Sequence, residues 1–205
     1  TWLSWSPATR IFHVPRFIEP DVASNIIELA LAQGLGLEPN RQMLPPHTML
    51  DAAKHPVVRE LYHRACSELL GIPLQSVTTP LDVSPWGTEG HRLRVRRTHL
   101  SDIHGAPKGL FRRHTDAAGW PDENRVVVAT IFMYLAEPPI RGGETYFPDL
   151  GVTLRATAVG DAFVWYNCYP DGTPAGPDAE HEGSIVHEGT KWTAIIFAAA
   201  DPTYC

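Results

Sequence analysis

The sequence predicts a mainly β domain of the α+β type, in which a double-stranded β-helix, or jelly roll, is supported by N-terminal helices. Two helical patterns precede residue 75, and from about residue 80 short apolar segments are separated by Gly, Pro and Asp. Many short strands without intervening long helices favour a double sheet over a parallel sheet. A chain of 205 residues, 43% of them hydrophobic, suits one core. We therefore predict one domain over 1–205, with helical support at about 1–75 and the jelly roll at about 80–200.

Two amphipathic helices are predicted in the N-terminal part. The first spans 20–34, because Pro20 fits a first helical turn, an apolar stripe follows, and Gly34 can end the helix. The second spans about 55–70, where Pro56 fits the first turn and Gly71 ends the pattern. Residues 35–54 lie between them and carry Gly, Pro and Asn, which predicts irregular structure.

Short strands fill the rest of the chain. The segments with strand character are 92–99, 110–116, 125–135, 144–147, 152–157, 161–167, 184–187 and 191–198. Residues 170–180 are rich in Pro, Gly and Asp and are predicted to form a mobile loop with neither strand nor helix.

Charge and hydropathy exclude two classes of partner. The net charge is -6, and no run of Lys and Arg is suited to following a phosphate backbone, so nucleic acid is not an expected partner. Arg92–Arg97 is locally basic, but its alternation predicts a strand with one solvated face. The apolar runs are too short to cross a bilayer, so no membrane segment is expected.

The cysteines predict neither a disulfide framework nor a zinc site. Cys66, Cys168 and Cys205 are odd in number and contain no C-x-x-C spacing. Cys66 falls on the second predicted helix beside Leu69 and Leu70, which indicates a buried thiol.

A histidine and a carboxylate stand two positions apart at the end of a predicted strand. Residues two apart in a strand point to the same face, so His114 and Asp116 can offer an imidazole and a carboxylate to one metal ion. A second histidine would complete a two-histidine, one-carboxylate set. Such a set leaves coordination positions open, as oxygen chemistry on non-heme Fe(II) requires.

The third ligand could be either of two histidines. His181 and His187 both lie an even number of residues before Lys191, so strand parity does not separate them. His187 precedes Glu188-Gly189-Thr190, a predicted hairpin tip near solvent, which favours His181 modestly. Spacing alone leaves the choice open.

Lys191 lies in an apolar segment that predicts a mostly buried strand. An unpaired buried ammonium is costly, so this lysine needs an anion. A dicarboxylate cosubstrate could supply the anion, and so could an internal Asp or Glu. Both interpretations remain open at this level.

An ordered set of motifs resembles the catalytic domain of the prolyl 4-hydroxylase family, whose members are 2-oxoglutarate-dependent Fe(II) dioxygenases. The motifs are Leu3–Pro7 with Phe17–Pro20, the segment RVVVATIFMYL at 125–135, GGETYFP at 142–148, GDAFVWYN at 160–167, and finally His181 and Lys191-Trp192. The resemblance covers almost the whole chain.

The resemblance implies a role for each candidate site residue. Iron would be held by His114, Asp116 and His181, since the family places its second histidine ten residues before the lysine. Lys191 would bind the far carboxylate of 2-oxoglutarate, aided by Tyr134 and Thr145. The implied activity is hydroxylation of peptidyl proline at C4, with 2-oxoglutarate and O₂ converted to succinate and CO₂, and with ascorbate as a supporting reductant. The family also favours the secretory pathway as compartment.

Several positions depart from the family pattern on the expected peptide side. Thr98 or His99 and Phe111 stand where tyrosines are common, and Phe197 stands where a tryptophan is usual. The chemistry is thus better supported than the peptide substrate. The rival hypotheses are a 2-oxoglutarate oxygenase acting on another residue or on a small molecule, and a catalytically silent jelly-roll binding module. A lid over the site is expected, formed by 170–180 or 101–109.

Overall fold

The computed structural model describes residues 2–6, 9–36, 45–77, 91–99, 111–116, 125–139 and 141–205. The side chains of residues 2–6, 9 and 111 are outside this description.

A seven-stranded antiparallel sheet forms the larger layer. In spatial order its strands are β1 (Trp2–Ser6), β2 (Thr9–Val14), β10 (Ala162–Tyr166), β6 (Val126–Tyr134), β13 (Thr190–Ala200), β4 (Arg92–His99) and β3 (His47–Asp51). The smaller layer has four strands in the order β5 (Phe111–His114), β11 (His181–Gly183), β8 (Thr145–Phe147) and β9 (Val152–Leu154). A short pair of β12 (Val186–Glu188) and β7 (Arg141–Gly142) completes the strands of the described residues. The predicted mainly β, double-sheet fold is confirmed.

The two predicted helices are present. Helix α1 spans Pro20–Gln33 and ends at Gly34, whose φ of 90° suits a glycine. Helix α2 spans Pro56–Tyr62 and continues as a π-helical segment over His63–Leu69. Single 3₁₀ turns cover Leu74–Ser76, Gly176–Ala179 and Pro202–Tyr204. Among the described residues, none of the helices has the length and apolar character that crossing a bilayer requires.

Two apolar cores lie on opposite faces of the large sheet. Alternate residues of β13 divide between them: Ala194 and Ile196 pack beneath the helices, whereas Ile195 and Phe197 face the small sheet. A strand that is buried on both faces reads as a continuous apolar run, as residues 194–200 do. The second core therefore occupies the interior of the jelly roll, where the candidate site lies.

The interpretation of Arg92–Arg97 as a strand with a solvated face was wrong. Leu93 and Val95 pack in the core beneath the helices, so Arg94 and Arg96 point into the jelly roll and are 4% and 8% exposed. The Arg94 guanidinium lies 5.4 Å from the centre of the Phe197 ring. β4 has a neighbouring strand on each side, and its interior face is covered. The alternation of polar and apolar residues within β4 does not indicate that its polar face is buried.

The cysteine prediction was also wrong in part. Cys168 and Cys205 form a disulfide with their Cα atoms 5.7 Å apart. They are 37 positions apart in the sequence but meet because the chain end folds back beside β10. Arg10 reinforces this junction by donating hydrogen bonds to the carbonyl oxygens of both cysteines. Cys66 is a buried thiol as predicted, and burial raises its pKa to about 12.

Two other predictions on irregular segments need correction. Residues 35–54 contain the strand β3. Four of its five residues are buried, polar ones included, so its sequence lacks the apolar–polar alternation of a half-buried strand. Residues 170–180 contain the 3₁₀ turn, and the Tyr169 hydroxyl donates a hydrogen bond of 2.7 Å to Asp178. The N-terminal hairpin of β1 and β2 was not predicted either.

Candidate metal and cosubstrate site

The two predicted metal-binding histidines lie side by side on adjacent strands of the small sheet. His181 on β11 pairs directly with His114 on β5, and their rings lie 4.4 Å apart. Asp116 follows two residues after His114, and the ligand atoms of all three side chains lie within 4.8 Å of one another. The three could hold one metal ion. His187 is exposed on β12 and does not belong to this group.

Hydrogen bonds to the backbone set the tautomer of each histidine. His114 Nδ1 lies 2.8 Å from the Arg112 carbonyl oxygen, and His181 Nδ1 lies 3.0 Å from the Ala179 carbonyl oxygen. A carbonyl can only accept, so each Nδ1 carries a proton, which leaves Nε2 as the ring atom suited to bind a metal. Those Nε2 atoms lie 3.6 Å and 3.7 Å from the oxygens of Asp116. This is how metal-binding histidines are commonly oriented.

The protonation states suit a divalent cation. Burial favours the neutral form of Asp116, but His181, His114 and a hydrogen bond from Thr130 hold the pKa of its carboxyl well below the usual range. Burial lowers the pKa of His181. Metal binding requires an ionised carboxylate and a neutral imidazole, and these two shifts favour that state for Asp116 and His181.

The surrounding packing fixes the site. Phe147 and Trp165 contact His181, with ring centres at 5.2 Å and 4.9 Å. On the outer side Arg113 forms ion pairs with Glu180 and Asp149, so the residues preceding the two histidines are joined across the strands. Trp165 is buried and belongs to the interior core.

Lys191 lies in the interior of the jelly roll and is 7% exposed. Its Nζ donates a hydrogen bond of 2.7 Å to the Gly143 carbonyl oxygen and lies 4.9 Å and 5.3 Å from the rings of Phe132 and Tyr134. Within the described part of the chain, no carboxylate forms an ion pair with it. Burial, together with the positive charge of Arg96, lowers the pKa of Lys191 to about 7.

Tyr134 and Thr145 accompany Lys191 in the same interior space, and both are buried. Burial raises the pKa of Tyr134, as does the negative charge of Glu144, so its hydroxyl stays protonated and can donate a hydrogen bond. Phe132 contacts Lys191 on one side and Trp165 on the other, at 5.9 Å between ring centres. Since Trp165 contacts His181, one aromatic cluster links the lysine to the metal set.

Sequence reasoning missed two residues beside Asp116. Thr130 Oγ1 donates to Asp116 Oδ2 at 2.7 Å, and Asn167 Nδ2 donates to Thr130 Oγ1 at 3.0 Å. The available signal was polarity, because Thr130 interrupts the apolar run of β6 and Asn167 ends that of β10. Of the other predicted positions, Phe197 packs in the interior core, whereas 101–109 lie outside the described residues.

Comparison with known proteins gives fold relatives of low sequence identity. None of the protein-family models and none of the curated proteins matches this chain. A solved structure of the viral collagen prolyl hydroxylase vCPH from Paramecium Bursaria Chlorella virus-1, in a 2OG complex, is 18% identical with a TM-score of 0.68, covering 93% of this chain and 95% of that chain. A Pseudomonas putida prolyl-4-hydroxylase is 14% identical with a TM-score of 0.58, covering 92% of each chain.

A third solved structure has a different activity. SnoK, a non-heme alpha ketoglutarate dependent carbocyclase from nogalamycin biosynthesis, is 12% identical with a TM-score of 0.59, covering 93% of this chain and 79% of that chain. Identities this low establish architecture and leave the reaction to be argued from the site. The chain has the jelly-roll fold shared by prolyl hydroxylases and other 2-oxoglutarate-dependent, non-heme oxygenases.

Proposed function

We propose that this protein is a 2-oxoglutarate- and Fe(II)-dependent dioxygenase that hydroxylates peptidyl proline at C4, similar in reaction to procollagen-proline 4-dioxygenase. The observation that carries the proposal is the pairing of two features in one interior. One is the set of His114, Asp116 and His181, whose ligand atoms lie within 4.8 Å of one another, and the other is the buried cation of Lys191. Together they support 2-oxoglutarate-dependent oxygenase chemistry, and the choice of peptidyl proline rests on the resemblance of the sequence motifs to the prolyl 4-hydroxylase family.

The donor set fits iron. Two imidazoles and one carboxylate are the ligands of non-heme Fe(II) oxygenases and leave positions free on the metal. His114, Asp116 and His181 would hold the ion. When bound, it would supply the activation of dioxygen, with 2-oxoglutarate as the source of two electrons and ascorbate as a supporting reductant.

The chain's own residues would bind and orient the cosubstrate. Lys191 offers an ammonium to the distal carboxylate of 2-oxoglutarate, and a buried charge pair of this kind excludes water as it forms. Tyr134 and Thr145 offer hydroxyl groups beside it. The aromatic cluster of Phe132 and Trp165 provides apolar walls between lysine and metal set, where a dry site strengthens each polar contact.

The overall reaction would convert substrate, 2-oxoglutarate and O₂ to hydroxylated substrate, succinate and CO₂. The test is turnover with Fe(II), ascorbate and 2-oxoglutarate on collagen-like and hydroxyproline-glycoprotein-like peptides, read by mass spectrometry. The expected product is heavier by one oxygen atom and is formed in step with succinate. Absence of product from every proline peptide would overturn the substrate class, although succinate formation that depends on Asp116 would still support the oxygenase.

A second candidate keeps the chemistry and changes the substrate. The buried Arg94 lies in the interior of the jelly roll beside Phe197, which stands where the prolyl 4-hydroxylase pattern usually has a tryptophan. These features favour a substrate other than a collagen-like peptide, such as another residue type or a small molecule. A catalytically silent binding module is disfavoured, because it would have no need for the metal set and the buried lysine together.

A further inference from the structure

We propose that Asn167 and Thr130 form a positioning relay that orients Asp116 for metal binding. The inference rests on the proposed metal site and concerns residues that would not touch the metal. Thr130 lies on β6 of the large sheet, whereas Asp116 follows β5 of the small sheet. The hydrogen bond between them, 2.7 Å from Oγ1 to Oδ2, therefore joins the two layers at the site.

The direction of the relay follows from the chemistry of its ends. The Thr130 hydroxyl donates to Asp116 Oδ2, so its single proton points toward that oxygen. The hydroxyl oxygen then has lone pairs to offer, and the group 3.0 Å away on Asn167 must be the donating Nδ2. The amide of Asn167 thus fixes the rotation of the hydroxyl, and the hydroxyl fixes the rotation of the carboxylate.

Asn167 is itself held on two sides by its backbone. Its N–H donates to the Val128 carbonyl at 2.9 Å, and its carbonyl accepts from the Ala175 N–H at 2.9 Å. The next residue, Cys168, is anchored by the disulfide to Cys205. The amide is fully buried, so the orienting group has a single environment.

The burial of the Asn167 amide is not explained by its contribution to stability. Asn167 Oδ1 accepts no hydrogen bond from any described residue, although an unsatisfied buried acceptor is costly. An apolar residue would be the more stable occupant of such a position. This cost is accounted for if the amide is retained for its Nδ2 group, which orients the hydroxyl proton of Thr130 toward Asp116.

The relay is tested by Co(II) titration of the purified protein, followed by visible absorption, with unfolding temperature measured for each variant. Thr130→Val keeps the shape of the side chain and removes the hydroxyl, and we expect a loss of affinity of roughly 10–100-fold, the range for outer partners of metal ligands. Thr130→Ser keeps the hydroxyl and should bind close to wild type. Thr48→Val is the matched control, because Thr48 is buried in the same sheet and bonds only to Gln33 among the described side chains.

The coupling between the two residues distinguishes a relay from general destabilisation. Asn167→Leu should weaken Co(II) binding in the wild-type background and have no further effect in Thr130→Val, because it acts through the hydroxyl. Unchanged affinity in Thr130→Val, or an equal loss from Asn167→Leu in both backgrounds, would overturn the relay. If Thr130→Val does not fold, unchanged affinity in Asn167→Leu overturns it. Failure of the wild type to bind Co(II) would instead overturn the metal site.

Discussion

Replacement of Lys191 by methionine should stabilise the protein while removing cosubstrate binding. The pKa of Lys191 falls from 10.5 to about 7, chiefly through burial. That difference corresponds to about 5 kcal/mol of unfavourable free energy for the charged form in the folded protein. Methionine removes this cost but leaves the Gly143 carbonyl without its donor, a loss of roughly 1–3 kcal/mol. The expected net gain below pH 7 is therefore about 2–4 kcal/mol.

The sign of the pH dependence provides a second check on the same variant. The folded-state pKa lies below the unfolded one, so between about pH 7 and pH 10.5 the unfolded chain binds the extra proton. Wild-type stability thus rises with pH across this window relative to Lys191→Met, by about 1.4 kcal/mol for each pH unit. Below pH 7 the difference between the two proteins should be constant, because lysine is protonated in both states.

Urea unfolding at several pH values, with and without 2-oxoglutarate, measures both effects. Lys54→Met is the matched control: this lysine is exposed, and its replacement should change stability by no more than about 0.5 kcal/mol. With a divalent metal already present, addition of 2-oxoglutarate should further stabilise wild type and the control but not Lys191→Met. A Lys191→Met protein that is less stable than wild type by about 3–5 kcal/mol would show instead that Lys191 is held in a buried ion pair, because that is the cost of breaking one.

Three further predictions concern the disulfide bond, the protonation of Lys191 and the close backbone contact at Gly160. Cys168→Ser should lose about 4 kcal/mol of stability in urea, from a bridge spanning 37 positions, and a loss under about 1 kcal/mol would contradict this. Calorimetry should show 2-oxoglutarate affinity falling roughly tenfold per pH unit above about pH 7 as Lys191 loses its proton; pH-independent binding is the contrary result. Gly160→Ala should lower the free energy of unfolding by more than about 2 kcal/mol, because its Cβ would lie 1.9 Å from the Ile18 carbonyl oxygen. Gly34→Ala is the control, because nothing lies within 4 Å of its Cβ, and it should lose only about 1 kcal/mol. Equal losses in the two variants would argue against the close contact at Gly160.

The sequence predicted the elements that depend on local pattern. The period of the apolar residues located both helices, and the two-residue spacing of His114 and Asp116 predicted that they lie together. The resemblance favoured His181 over His187, and in the structure His181 pairs directly with His114. These features follow from backbone geometry that a short segment carries within itself.

The features that the sequence did not predict depend on which strands are neighbours. Arg94 reads as one side of an alternating surface strand and is buried only because β4 lies between β13 and β3. Cys168 and Cys205 pair because the chain end returns to β10. Thr130 reaches Asp116 only because the two sheets stack, and Asn167 reaches Thr130 because β10 lies next to β6. No local spacing encodes such meetings.

Calorimetric titration of 2-oxoglutarate into the Mn(II)-loaded protein is the sharpest test of a joint metal and cosubstrate site. We expect that His187→Ala binds both ligands like wild type, that His181→Ala loses Mn(II) affinity by more than about 100-fold, and that Lys191→Met keeps Mn(II) but loses 2-oxoglutarate. Equal Mn(II) and 2-oxoglutarate affinities in His181→Ala and His187→Ala would contradict it.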